Sequence, residues 1–189
     1  KETASNGASK WKESTATISK NTVSKNKNHG ISAISYANIN VKNKNVITYN
    51  KQTGIAVREN SYANIHASNT ISNNSKEGVL VNGSGSKIRV QDKNTIASNK
   101  SHGVSALNSS KAYVTNKNTI KDNKRAGVNA QSKAYIDVEN NTITGNTDSG
   151  IYVKEKGTKL DAKNNKITTS GTGISVRDNA TANSIYKNT

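Results

Sequence analysis

The polar hexamer NTISNN at residues 69–74 is written again as NTVSKN from Asn21, NTIASN from Asn94, NTIKDN from Asn118 and NTITGN from Asn141. A glycine keeps the same period. Gly30, Gly54, Gly78, Gly103, Gly127, Gly150 and Gly173 are separated by 24, 24, 25, 24, 23 and 23 residues. A fixed period of this length marks stacked units, each too small to bury its own apolar face.

Inside the period the apolar residues alternate. After the glycines come Ile55/Val57, Val79/Val81, Val104/Ala106, Val128/Ala130, Ile151/Val153 and Ile174/Val176. A second run follows as Ile39-Asn40-Val41, Ile65-His66-Ala67, Ile88-Arg89-Val90, Ala112-Tyr113-Val114, Ile136-Asp137-Val138 and Leu160-Asp161-Ala162, with an earlier copy at Ala16-Thr17-Ile18. The hexamer supplies a third position at Val23, Ile47, Ile71, Ile96, Ile120, Ile143 and Ile167. Alternation of period 2 is the mark of a strand with one buried face. Each unit therefore carries three short strands and about five inward side chains. Helical repeats of similar period exist, but β-branched inward positions and abundant Asn, Ser and Thr disfavour helices.

The reading is an all-β, single-domain parallel β-helix of about seven coils of 23–25 residues, spanning 14–189. Residues 1–13 fall outside the repeat and are expected to form a lead-in or partial cap, with Trp11 over the core end. The chain is expected to be part of a longer protein. Composition supports an unusual core: hydrophobic residues are 31%, aromatics 4%, and Asn numbers 30. So polar a chain reads as disordered unless something orders it; the strict recurrence and the lack of Pro argue for order. The Asn two before each hexamer isoleucine (Asn21 to Asn165) and the Asn three after it (Asn26 to Asn146) are assigned to left-handed corners and to amide ladders between coils. The glycines are assigned to backbone conformations closed to a Cβ.

The stacked pattern NTI--N---GI-V resembles the repeat of the pectate-lyase-like, right-handed β-helix superfold over nearly the whole chain. The resemblance implies right-handed winding. Its members include polysaccharide lyases, glycoside hydrolases, epimerases, phage tailspikes and non-enzymatic adhesins. The Lys/Asn-rich, Cys-free style resembles surface proteins of lactobacilli and related Gram-positive bacteria, which implies an extracellular location on the cell surface.

For function the charge says most. Net charge is +16, and 24 of the 28 basic residues are Lys. Lysine is a hydrated point charge suited to diffuse attraction, whereas bidentate recognition favours Arg. The lysines fall into columns. Lys20, Lys44, Lys93 and Lys117 precede the first hexamer Asn, and Lys27, Lys51, Lys100 and Lys124 follow the last, with Ser68 and Ser75 in the third copy. Lys121 and Arg125 add charge beside the second column. Stacking turns the columns into stripes that meet a linear polyanion at several points. The same charge also keeps a β-rod soluble.

The expected partner is an anionic polysaccharide: a host glycosaminoglycan, a sialylated or sulfated mucin, or the cell's own teichoic acid. Specific nucleic-acid binding is not expected, since no interleaving of basic and aromatic residues is evident along the chain. A non-enzymatic monomer without cofactor or metal is expected. The enzymatic alternative rests on Asp137 and Asp161, outward on adjacent coils in a column read as Thr17, Asn40, His66, Arg89, Tyr113, Asp137 and Asp161. Carboxylates about 5 Å apart suit retaining glycoside chemistry. A stalk that projects another domain is the third reading. His29 and His102 share a column three coils apart, too far for one metal ion.

Overall fold

The computed structural model describes residues 2–3, 9–10 and 13–189. Glu2–Thr3 pairs antiparallel with Ser9–Lys10; Trp11, the expected cap, lies outside the described residues. Beyond these, every regular element is a strand, and the chain winds as a parallel solenoid of about seven turns with sheets of seven, seven and eight strands.

One coil represents the rest. Ile55–Arg58 belongs to sheet 1, Tyr62–His66 to sheet 2 and Thr70–Ser72, within the hexamer, to sheet 3. Each strand pairs in parallel with its counterparts one coil before and after, as Val79 does with Ile55 and Val104. Ile55, Val57, Ala63, Ile65 and Ile71 point inward and are fully buried, and the next coil repeats this with Val79, Val81, Ile88, Val90 and Ile96. Burying a Val, Leu or Ile side chain stabilises by about 1.5–3 kcal/mol each, and stacking makes the burial continuous.

The third coil corrects the sequence reading of sheet 2. Asn64, not His66, stands opposite Asn40 and Arg89, while His66 pairs with Lys42. Ala63 and Ile65 are the inward pair, and Ala67 sits on the corner with φ of +61°. The run Ala63-Asn64-Ile65-His66-Ala67 alternates in either frame, so periodicity alone could not fix the register.

The asparagines depart from expectation in an instructive way. The left-handed residues are their predecessors: Lys20, Lys44, Ser68, Lys93 and Lys117 before the first column, and Lys25, Tyr49, Asn73, Ser98 and Asp122 before the second. From Asn45 to Asn165 the column asparagines are buried, and they form the two ladders, with Asn26 and Asn188 at the less buried ends. Asn69 donates from both N and Nδ2 to Oδ1 of Asn94, at 3.0 and 2.9 Å, and Nδ2 also reaches the Val41 carbonyl at 3.1 Å. The first ladder runs from Asn45 through Asn69, Asn94, Asn118, Asn141 and Asn165 to Asn188. The second runs from Asn26 through Asn50, Asn74, Asn99 and Asn123 to Asn146. At each corner the backbone turns out of the strand ladder, and the amide satisfies the freed groups. A left-handed non-glycine residue costs roughly 1–2 kcal/mol; the ladder offsets it by leaving no buried donor unpaired.

The repeat glycines serve close approach rather than left-handed backbone. A Cβ on Gly103 would meet the Gly127 carbonyl oxygen at 2.6 Å, Ile120 Cγ2 at 2.6 Å and Asn123 Nδ2 at 2.9 Å. The glycine lets the second ladder and the sheet-3 isoleucine pack directly beneath the start of sheet 1.

Candidate functional site

Three surfaces carry chemistry. The first is the face of sheet 3. Lys20, Lys44, Lys93 and Lys117 stand exposed along one edge, with Ser68 completing the column. Their αL backbone turns each side chain away from the rod. A depression of about 490 Å³ between Asp92, Lys93, Asn116, Lys117 and Asn140 opens beside them. Along the other edge Lys27, Lys51, Lys100 and Lys124 are exposed. Their backbones are fixed by the second ladder: Lys51, Lys100 and Lys124 donate to the carbonyls of Asn26, Asn74 and Asn99 at 2.9, 2.9 and 3.0 Å.

Among the described residues only two ion pairs form, Lys121 with Asp122 at 3.9 Å and Lys154 with Glu155 at 3.3 Å. The column lysines are thus without carboxylate partners. Lys121 lies outward on its sheet-3 strand, between the columns. Arg125 departs from its expected place and turns to the cavity beside sheet 1.

Sequence reasoning missed what lies between the columns. Thr22, Val46, Thr70, Thr95, Thr119, Thr142 and Lys166 form one outward row, and Ser24, Thr48, Ser72, Ala97, Lys121, Thr144 and Thr168 form another, so hydroxyls fill most but not all of the strip. The strip is about 10 Å wide, the length of a three-residue strand. Its signal was already in the hexamer, whose Thr and Ser flank the inward isoleucine.

The second surface is sheet 2. Asp137 and Asp161 are register partners on adjacent strands, as expected. Tyr135 donates its hydroxyl to Asp161 Oδ2 at 2.9 Å, while Asp137 Oδ1 is buried without a partner. Burial pushes the Asp137 carboxyl above the usual range, with Lys163 opposing and the Asp161 and Glu139 charges adding to the rise. The Tyr135 phenol is also raised, by burial and then by its bond to Asp161.

A basic–aromatic interleave that the linear sequence hides appears on the same sheet. Lys87 Nζ lies 5.8 Å from the Tyr62 ring centre and 5.2 Å from that of Tyr113. Arg89 lies 5.8 Å from Tyr113, which meets Tyr135 edge-on at 5.9 Å. Residues a coil apart in sequence become neighbours only through the stacking.

The third surface is the outer face of sheet 1. Ala56, Leu80, Ser105 and Asn129 point outward yet are 0%, 7%, 1% and 1% exposed. They form a sunken floor between side chains at the two strand ends. On one wall Glu77 accepts hydroxyls from both neighbouring coils, Thr53 Oγ1 at 3.0 Å and Ser101 Oγ at 3.1 Å. Toward the last coils the floor opens into a cavity of about 480 Å³ lined by His102, Arg125, Gln131, Asp148, Tyr152 and Arg177 among others. His102 is buried, and its Nδ1 accepts the Ala126 N–H at 3.2 Å. Burial first, with Arg125 adding, pushes its imidazole down to about 4 against the opposing pull of Glu77 and Asp148. His102 is therefore neutral at pH 7 and carries its proton on Nε2.

Two family models match the sequence. One, described as right handed beta helix region, matches residues 3–93. The other, described as periplasmic copper-binding protein (NosD), matches residues 76–189, more than half of the chain. No curated protein matches the sequence. Among solved structures, the A-module of Azotobacter vinelandii mannuronan C-5 epimerase AlgE4 is similar with a TM-score of 0.61 and 14% identity, over 94% of this chain and 57% of that one. The A-module of the AlgE6 epimerase from the same organism gives 0.63 and 18%, over 88% and 57%. This chain thus spans 57% of the length of either structure. The likeness establishes the right-handed β-helix fold.

The second family description implies copper. Copper sites draw on thiolate, thioether and clustered imidazole ligands. This chain has no Cys and no Met. His29 and His102 stand three coils apart, about 14 Å. His66 lies on sheet 2, with Nε2 2.9 Å from Asn40 Oδ1. Among the described residues no three His, Cys, Asp or Glu side chains gather. The residues present do not fit a copper site.

Proposed function

The chain belongs to the family described as periplasmic copper-binding protein (NosD), and from that premise we propose an exported, non-catalytic module that binds anionic glycans along its sheet-3 face. The observation that carries the reading is the register. It stacks four lysines on each side of a hydroxyl-lined strip, exposed and without carboxylate partners. A linear polyanion lying along the rod meets a lysine pair on four of the seven coils, with successive coils about 4.8 Å apart. Each contact is weak and screened by salt, and the contacts sum. Like charges one strand apart repel, so such stacking is costly unless a polyanion neutralises it.

The description of the family as periplasmic and the likeness to mannuronan C-5 epimerase modules support an exported protein and a polysaccharide ligand. The more specific reading is an adhesin on a bacterial surface, taking a glycosaminoglycan, an acidic mucin or a teichoic acid. A glycan array read at about 0.1 and 0.5 M salt tests it. Sulfated and uronate-rich glycans are expected to bind at the lower concentration and be released at the higher. No binding at either would leave the stalk.

A second reading, a polysaccharide-acting enzyme, is favoured by one observation. Asp137 is pushed toward its protonated form while Asp161 accepts a tyrosine hydroxyl. Neighbouring carboxylates in unlike surroundings can divide acid and nucleophile roles. Cleavage of a polysaccharide, abolished by Asp137→Asn, would establish it.

A further inference from the structure

The cavity on sheet 1 is separate from both surfaces invoked above. Its cations come from two walls. Arg125 sits on the turn before Gly127, while Lys154 and Arg177 are register partners at the far end of the sheet-1 strands. Between them Asn129, Tyr152 and Ser175 form one column of the floor. Neither Arg125 nor Arg177 has a carboxylate within 4 Å among the described residues. The Arg177 guanidinium has its Nε taken by Ser175 Oγ at 3.1 Å, which leaves its terminal nitrogens free. Gln131 is likewise held, donating to Asn129 Oδ1 at 2.8 Å. The buried His102 ring, fixed by the Ala126 N–H, is left with one N–H to offer on a wall of this cavity. Asp148 adds an acceptor and Tyr152 an aromatic surface.

These groups describe one kind of guest. Two unpaired guanidinium groups ask for an oxyanion, in the planar geometry that arginine recognises and lysine does not. A carboxylate acceptor, an imidazole N–H and a side-chain amide suit sugar hydroxyls. An aromatic face suits the apolar side of a pyranose. At about 480 Å³ the cavity falls within the range of small-molecule sites. We propose that this cavity binds a single acidic sugar unit, a pyranose bearing a carboxylate or a sulfate ester, with Arg125 and Arg177 holding the oxyanion and Tyr152 the ring. The site goes beyond the lysine face: it reads one residue where the columns read a length of chain.

Short probes separate the two, because a disaccharide cannot span the lysine columns. Calorimetric titration of the whole chain uses digalacturonate, N-acetylglucosamine 6-sulfate and neutral cellobiose. One of the acidic probes is expected to bind one to one, and which one binds identifies the oxyanion. Arg125 and Arg177 are exposed, so Arg125→Ala with Arg177→Ala leaves the core intact and is expected to weaken binding at least tenfold. Replacing Lys27, Lys51, Lys100 and Lys124 by Glu is expected to change it less than twofold. The proposal is overturned if neither acidic probe binds more tightly than cellobiose, or if the double arginine variant binds as the parent does. Loss of heparin binding in the lysine variant with the acidic-probe affinity retained would support both sites. Heparin binding unchanged in that variant would remove the lysine reading and leave this one standing.

Discussion

The two outer faces that flank each repeat glycine follow opposite rules. On sheet 3 the frame of the hexamer, an Asn two before and three after an inward Ile or Val, recurs with one exception at Ser170, and lysines flank it in four of the seven coils. On sheet 1 the outward positions run Ala56, Leu80, Ser105, Asn129, Tyr152 and Ser175, no two neighbours alike. The inward residues beneath both faces are equally regular and equally buried. Repetition on sheet 3 reflects the ladders that hold the corners, and under the proposed function it also sets out a periodic surface. Variation on sheet 1 gives each coil a different outward side chain, as the proposed single-guest cavity requires. A periodic face suits a polymer, and an irregular one suits a single guest.

The comparison breaks most visibly at a ladder. Asn99 accepts from Asn74 and donates to Asn123 and to the Ile71 carbonyl. Asn99→Ala is expected to cost about 3–5 kcal/mol in denaturant unfolding, because it strands buried groups in three coils. An outward change on sheet 1 such as Leu107→Ala, in a half-exposed position, should cost far less.

His102 gives the next largest effect and belongs to sheet 1. Its pKa is depressed to about 4 from the ordinary 6.5, so the unfolded chain binds more protons between those values. Stability should fall as pH drops from 6.5 toward 4, by about 3 kcal/mol in all. His102→Gln should flatten that slope, whereas the sheet-3 ladders contain no group that titrates there.

Gly103 stands where the two faces meet. Gly103→Ala drives a methyl against backbone and should cost about 1–3 kcal/mol. At Gly173 a Cβ meets only Ile167 Cγ2 at 3.9 Å, and Gly173→Ala should be close to neutral by the same melting assay. Smallest is Asp137→Asn. A carboxyl whose folded pKa is raised lowers stability above its ordinary range, so the amide should raise the melting temperature slightly at pH 7 and not at pH 3.

Much of this was legible in the chain. Seven glycines at nearly constant spacing, with alternating apolar residues after them, dictate coils and their inward ladders. Ile71 could be placed in the core because the residues flanking it are polar in every copy except at Val46 and Ala97. Three things were not legible. The third copy of sheet 2 alternates in both frames, and only pairing with Asn40 and Arg89 selects Asn64. The corner conformation passed to Lys44 and Lys93 because a buried ladder needs the asparagine amide inside, which leaves the preceding residue to make the bend. The sheet-1 cavity gathers His102, Arg125, Asp148, Tyr152 and Arg177 from successive coils, and residues a coil apart carry no mark in sequence that they will meet.

The central claim is that the lysine columns act together on a polymer. Affinity for heparin, measured against salt concentration, tests it most directly, since the slope counts the charges that release counterions. The parent chain should show a steep fall in affinity, and the variant with Lys27, Lys51, Lys100 and Lys124 replaced by Glu should show less than half that slope with weaker binding throughout. Equal slopes and equal affinities for the two proteins would contradict the account.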